Sequence, residues 1–258
     1  MLRFRSLASG SSGNATLVEA SSGAGAPTRV LIDCGLGVRQ LAQRLAQAGL
    51  GVEDIDALFI THEHGDHVGC ALTLSARHRI PLWTSQGTWQ AAAGARHEAC
   101  INVTADGQSV TIGALQISPF TVPHDAREPL QLRCTDGART LGILTDLGHV
   151  TPHALACLAG CHALLLESNH DPEMLAQSSY PDFLKRRVGG ALGHLSNAQA
   201  SAALSALRHA QLSTVVAAHL SERNNRIPLV QDGFAQALGC AAADVQVSTR
   251  AGLGWLTV

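Results

Sequence analysis

At 258 residues, with 46% hydrophobic and 15% charged side chains, the chain can bury a sizeable core, which excludes disorder, collagen-like repeats and coiled coil. A formal net charge of −2 gives no bulk attraction for nucleic acid, so any phosphate contact has to be local, and 3% aromatics argue against stacking platforms for single strands. Histidine is the outlier, at 13 against 20 acidic residues.

The first residues lack the apolar core of a secretory signal. Phe4 and Leu7 lead instead into a Gly/Ser turn and then Ala15–Glu19, the grammar of a hairpin. Strands are expected at Leu2–Leu7, Ala15–Val18, Arg29–Ile32, Ala57–Ile60, Leu82–Thr84, Ser109–Ile112, Leu115–Phe120, Gln131–Cys134 and Leu141–Thr145. Helical patterns fall at Gly37–Gln47, Gly69–Arg77, Gly87–Ala92 and Thr151–Leu158, with Ser21–Thr28 as a loose hairpin tip. The second half reads as strand Ala163–Leu166, helices near Tyr180–Val188 and Ser196–Ala210, strand Thr214–Ala218, and a helix near Pro228–Leu238. Strands Val245–Ser248 and Gly254–Val258 close the chain. The longest apolar runs, such as Ala163–Leu166, fall far short of a membrane span. No repeat or long linker divides the chain, so a single domain over 1–258 is expected, and its mixed grammar fits a layered α/β sandwich. Seven cysteines, none in a Cys-x-x-Cys pair, suit a reducing cytoplasm. The pattern places Cys157 and Cys161 on a helix as small core residues.

One segment dominates: Leu58-Phe-Ile-Thr-His62-Glu-His64-Gly-Asp66-His67-Val-Gly69. In extended backbone His62 and His64 point to the same side, so both imidazoles reach one metal. Gly65 turns the chain, and Asp66 and His67 project from a helix start toward a second position. Imidazole and carboxylate together suit zinc, manganese or iron. Further donors stand at strand ends: His124 after Leu115–Phe120, Asp146 after Leu141–Thr145, and His219 after Thr214–Ala218. Taken singly, each also resembles an ordinary polar terminator. Asp33, closing Val30–Ile32, suits a carboxylate that hydrogen-bonds a ligand histidine and fixes its tautomer.

With these residues in this order the chain resembles the metallo-β-lactamase superfamily over essentially its whole length. The resemblance implies an α/β (α+β) fold, a four-layer αβ/βα sandwich with the site at the edge of two sheets. It assigns His62, His64 and His124 to one divalent ion, and Asp66, His67 and His219 to a second. Asp146 would bridge them, with zinc or manganese expected and iron also compatible.

Three segments narrow the substrate. Ser9-Gly-Ser-Ser-Gly-Asn14 is a turn able to present N–H groups to an anion, with Ser11, Ser12 and Asn14 as candidate contacts. Glu167 and His170 follow a buried strand, and His194 precedes Ser196, a plausible helix cap. With Tyr180–Arg187 and His219–Asn225, these resemble the bacterial WalJ/YycJ group of nucleases, regarded as 5′-to-3′ DNA exonucleases. Glu167 and His194 also resemble the Glu/His pair that tRNA-processing ribonucleases use beside their metals. There the carboxylate favours an imidazolium that protonates the leaving group. The expected chemistry is attack of a metal-bridging hydroxide on phosphorus, with Asp66 orienting it. Arg223 and Asn224 are expected to touch substrate phosphate, and His170 likewise. Lys185, Arg186 and Arg187 would spread around a helix, so not all face one backbone.

The segment between Asp146 and His219 leaves no room for the inserted domain of the β-CASP nucleases, and no Gly/Pro-rich arm for gripping tRNA is visible there. A small-molecule cyclic phosphodiesterase, a tRNA-processing-like ribonuclease and a thioester hydrolase of the glyoxalase II type remain as alternatives, the last leaving Glu167 and His194 unexplained. His78, His97, His149, His153, His162 and His209 read as surface or packing residues. DNA is the expected substrate, with no membrane partner and a cytoplasmic location.

Overall fold

In the computed structural model, which describes residues 1–21, 23, 25–92 and 100–258, two sheets pack face to face with helices on both outer surfaces. The chain builds the first sheet from β1 (Leu2–Ala8), β2 (Ala15–Ala20), β3 (Thr28–Ile32), β4 (Ala57–Phe59), β5 (Leu82–Thr84) and β6 (Ile101–Val103). The second follows with β7 (Val110–Ile112), β8 (Leu115–Thr121), β9 (Leu130–Thr135), β10 (Thr140–Leu144), β11 (Ala163–Glu167), β12 (Thr214–Ala218) and β13 (Gln246–Val247). A last strand, β14 (Leu256–Thr257), returns to pair with β1, so the orders are β14-β1-β2-β3-β4-β5-β6 and β13-β12-β11-β10-β9-β8-β7.

Period-two side-chain alternation generates the layers. In β3, Val30 and Ile32 enter the core between the sheets, while Leu31 faces outward. In β11, Ala163 and Leu165 point inward and Leu164 and Leu166 outward. The outward row of the first sheet packs under α1 (Val38–Ala46) and α3 (Ala71–His78), through Leu41, Leu45 and Leu74. The outward row of the second packs under α5 (Pro152–Leu158), α8 (Asn197–Leu207) and α9 (Ile227–Leu238), through Leu158, Leu204 and Phe234. Shorter helices are α2 (Gly65–Val68), α4 (Gln86–Ala92), α6 (Pro172–Gln177) and α7 (Asp182–Val188). No helix among the described residues is long and apolar enough to cross a membrane.

Three differences from the sequence reading have physical causes. The helix expected from Gly69 starts at Ala71, because Gly69 takes φ 36 and separates α2 from α3. Strand β6 and helix α6 went unpredicted: β6 is three half-exposed residues, and α6 is too short to show an apolar stripe. Cys161 lies beyond the end of α5, buried in the core, and Cys157 is its half-buried neighbour; both are free thiols. His97 and some residues of the Ser21–Thr28 tip lie outside the described residues.

The fold delivers the important side chains to one edge. Strands β3 and β4 run parallel, as do β10, β11 and β12, so their carboxyl ends share a rim. Residues 33–35 are pressed on the histidine-rich turn: Cys34 N–H donates to His67 O at 2.8 Å and Asn14 N–H to Asp66 O at 2.8 Å. A Cβ on Gly35 would stand 1.6 Å from the Asp66 carbonyl oxygen. Gly35→Ala must therefore push the two backbones apart. We expect it to cost about 3 kcal/mol and to lower Tm by about 6–12 °C in a thermal melt. An unshifted melting curve would contradict this packing.

Candidate metal centre

Six of the strands that end at the rim do so at or just before a chemically committed residue. Asp33 follows β3, His62 stands three residues past β4, His124 three past β8, Asp146 two past β10, and Glu167 closes β11 while His219 follows β12. Asp33, Asp146 and His219 adopt left-handed backbone, with φ of 57, 56 and 53, a conformation non-glycine residues avoid. Arg79 is the other such residue among those described. The left-handed turn ends each strand and swings its side chain into the seam between the sheets. Backbone strain concentrated at one spot is an observation that points toward function.

The first donor cluster is His62, His64 and His124. The Thr61 hydroxyl donates to Asp33 (3.0 Å), so it accepts from His62 Nδ1 (3.0 Å), which leaves His62 Nε2 a bare lone pair. His124 Nδ1 donates to Gly193 O at 3.1 Å, freeing its Nε2 as well. These two atoms lie 3.1 and 3.3 Å from His64 Nδ1. One proton on His64 satisfies only one of them. A cation satisfies all three. Burial holds His62 and His124 below the ordinary histidine pKa, with neighbouring histidines pushing the same way, so both are neutral ligands at neutral pH.

The second cluster is Asp66, His67 and His219, and Asp146 joins His67 and His62 in a further group. His67 Nδ1 donates to Asp33 Oδ2 at 2.8 Å, which turns Nε2 toward Asp146 Oδ2, 3.2 Å away. Asp146 Oδ1 lies 3.4 Å from His219 Nδ1, and Asp66 Oδ2 lies 3.7 Å from His219 Nε2. Yet Asp146 Oδ2 and both His219 nitrogens are buried without a hydrogen bond of acceptable geometry. Orphaned polar atoms this deep need a counter-charge. Burial opposes charging His219, but Asp146, Asp66 and Glu167 outweigh it and its pKa is pushed up to about 10. A field that holds a proton so firmly holds a divalent cation for the same reason. The donor set therefore fits divalent metal.

Beside the clusters, His194 Nδ1 donates to Glu167 Oε1 at 2.9 Å. Burial lowers the His194 pKa, but Glu167 and Asp146 raise it more, so its net shift is upward. Glu167 is wholly buried and stays ionised below the ordinary carboxylate pKa: burial opposes its charge, and His194 more than offsets that. The Leu147 N–H steadies its other oxygen at 3.2 Å.

Clefts decide which expected contacts have access. His64, Asp66, Asp146, His194 and His219 open into a cleft of about 320 Å³ that Ser11 also lines. Ser12 is exposed outside it. Asn14 is buried, with its amide on Asp66 Oδ2 (3.3 Å) and His67 Nε2 (3.0 Å), so it holds ligands rather than substrate. The N–H groups of Ser9, Gly10, Gly13 and Asn14 are all spent inside the protein, so any anion contact of this turn falls to its tip at Ser11 and Ser12. Arg223 is exposed but does not line this cleft, and Asn224 is wholly buried, without the direct phosphate access expected of it. His170 lines a different groove.

Sequence reasoning missed Asp125 and gave Arg187 no special place. Asp125 Oδ1 lies 3.7 Å from His64 Nε2 and 3.5 Å from His124 Nε2, and Arg187 Nε donates to its other oxygen at 2.5 Å. Both line the cleft. Adjacency of Asp125 to His124 was the available signal; nothing local marked Arg187 out from its two basic neighbours.

Comparison with known proteins places this geometry. Residues 28–220 match the profile of the β-lactamase superfamily domain. The chain is 31% identical over 92% of its length to exodeoxyribonuclease YycJ of Bacillus anthracis, covering 89% of that protein. It is 32% identical over 86% of its length to exodeoxyribonuclease WalJ of Streptococcus pneumoniae, covering 83%. Among solved structures, zinc-bound PqqB from Methylobacterium extorquens superposes with a TM-score of 0.73, 18% identity and coverage of 99% of this chain and 100% of that one.

Proposed function

The chain belongs to the β-lactamase superfamily and is a metal-dependent hydrolase, and from that premise we propose that it is a dinuclear phosphodiesterase acting as a 5′-to-3′ DNA exonuclease. One observation carries the reading: the pair of buried Glu167 and half-buried His194 sits against the donor clusters, with His194 Nδ1 3.6 Å from Asp146 Oδ1. An acid there has work to do when the leaving group is an alkoxide, as in a nucleic-acid strand. The exodeoxyribonuclease relatives support the choice of DNA. We place the enzyme in the cytoplasm, as one domain without a tRNA-gripping arm, with its free thiols as support.

His62, His64 and His124 would hold one ion and Asp66, His67 and His219 the other, with Asp146 between them; zinc is supported by the zinc-bound neighbour, manganese by the oxygen donors. Bound there, two divalent cations supply Lewis-acid charge and lower the pKa of water. The chain's own residues do the rest. Asp33 and Thr61 fix the tautomers of His67 and His62. Asp66, part-exposed on the cleft, orients the attacking water. His194 delivers its proton to the departing oxygen while Glu167 keeps the imidazolium charged. Ser11 and Arg187 line the path by which a phosphate enters.

The test uses purified protein loaded with manganese or zinc and given end-labelled duplex DNA, single strands, precursor tRNA and cyclic nucleotides. Progressive shortening from a 5′ phosphate is the expected result. Cleavage confined to cyclic or nitrophenyl esters would overturn the nuclease reading, and trimming of precursor tRNA alone would overturn the choice of DNA.

A further inference from the structure

Phe4, Phe59, Phe120 and Phe234 are all buried, but the fifth phenylalanine, Phe183, is 66% exposed on α7. That helix divides two concavities. Leu184, Arg187 and Val188 line the metal cleft, whereas Lys185, Arg186 and Gly189 line a second, open groove of about 530 Å³ on the other side. At about 100° per residue, Phe183 falls between Arg186 and Arg187 on the helix circumference. It therefore crowns the ridge that separates cleft from groove.

The groove is chemically prepared for an anion. Lys185 Nζ donates to Ala176 O at 2.7 Å and keeps two further protons to offer, and Arg186 is exposed. Asp182 stands at the rim as the counter-charge, one acid against two cations. His170 also lines the groove; it is 4% exposed, and its buried Nδ1 has no hydrogen-bond partner among the described residues. A bridge ties His170 to Ser196, and Glu167 and His194 lie just upstream of those two residues. The groove is thus lined by two residues that closely follow the proton-donating pair in the chain.

We propose that α7 is a saddle for single-stranded nucleic acid, with one exposed ring, Phe183, in place of the multi-ring platform that the chain's few aromatics argue against. The reacting phosphate sits in the cleft, the neighbouring unpaired base stacks on Phe183, and the phosphates beyond it rest in the groove against Lys185 and Arg186. The inference depends on the nuclease reading above and sharpens it, because only an unpaired base offers its face to a ring. The preferred substrate is then a strand end released from its duplex.

The experiment compares metal-loaded wild type, Phe183→Ala, Phe183→Trp and the Lys185→Ala/Arg186→Ala double variant. Substrates are a 5′-phosphorylated oligothymidylate, its dinucleotide and a nitrophenyl phosphodiester, and each protein's oligomeric state is measured by sedimentation. Phe183→Ala is expected to lower the oligomer-to-dinucleotide ratio of kcat/KM about tenfold, through KM, with Phe183→Trp restoring it. The double variant is expected to flatten the log–log salt dependence of oligomer binding by about 1.4. A ratio unmoved in Phe183→Ala overturns the saddle while leaving the nuclease reading intact. A change of oligomeric state in place of that ratio change assigns the ring to an interface between copies and overturns it equally. Wild type that cleaves nitrophenyl phosphodiesters but neither oligonucleotide overturns the nuclease reading itself.

Discussion

Asp146→Ala is expected to lower kcat/KM on a phosphodiester by more than about 10³-fold, equivalent to roughly 4 kcal/mol of transition-state stabilisation, and to strip metal from the protein. Asp146 is 2% exposed, approaches His67 on one oxygen and His219 on the other, and also groups with His62 of the first cluster, so it stands between the two donor clusters. Without it, two cations would face each other with no shared anion, and His67 and His219 would lose their buried counter-charge. Elemental analysis by plasma mass spectrometry and turnover should fall together. Asp146→Asn separates charge from shape: it keeps the side-chain volume, and the same loss of metal is expected from a protein with an undisturbed circular-dichroism spectrum. Either variant retaining full metal content would sink the dinuclear assignment.

His194→Ala has the second largest expected effect, and its size should depend on the leaving group. On DNA, whose departing alkoxide needs a proton, the loss should be about 10²–10⁴-fold. On a nitrophenyl ester the departing phenolate needs little help, and most activity should survive. Equal loss on both substrates would remove His194 from the proton-donor role. The pH profile gives an independent reading. The active form is the imidazolium, so kcat/KM falls as pH rises through the His194 pKa, which Glu167 and Asp146 hold above its ordinary value against burial. In Glu167→Gln that support is weakened, the pKa drops, and the alkaline limb moves to lower pH. An alkaline limb that stays in place would show another group governing it.

Much of the centre was legible because its signals are local. His62, His64, Asp66 and His67 announce themselves within one turn, and strand-ending His124, Asp146 and His219 are each preceded by an apolar run whose end is easy to see. The two-sheet architecture followed from period-two rows and from the family resemblance. What failed were inferences from chain adjacency. Arg223 and Asn224 follow His219 closely, yet Arg223 does not line the cleft and Asn224 is entombed. Asn14 looked like a substrate contact and is consumed by two metal-binding side chains. Arg187 could not be told from Lys185 and Arg186 in the sequence, because only the packing of α7 decides which cation faces which hollow.

The left-handed residues Asp33, Asp146 and His219 carry a consequence for anyone who would rebuild this centre elsewhere. Each holds an unfavourable conformation worth of order 1–3 kcal/mol, in a class of molecule whose entire margin against unfolding is about 5–15 kcal/mol. Grafting the seven donors onto relaxed strand tips would reproduce the chemistry's inventory but not its aim, since the contorted main chain is what points them inward. Conversely, glycine at those three places would relax the main chain but strip Thr61, His67 and His219 of the carboxylates that face them, so the strain cannot be removed without unmaking the centre.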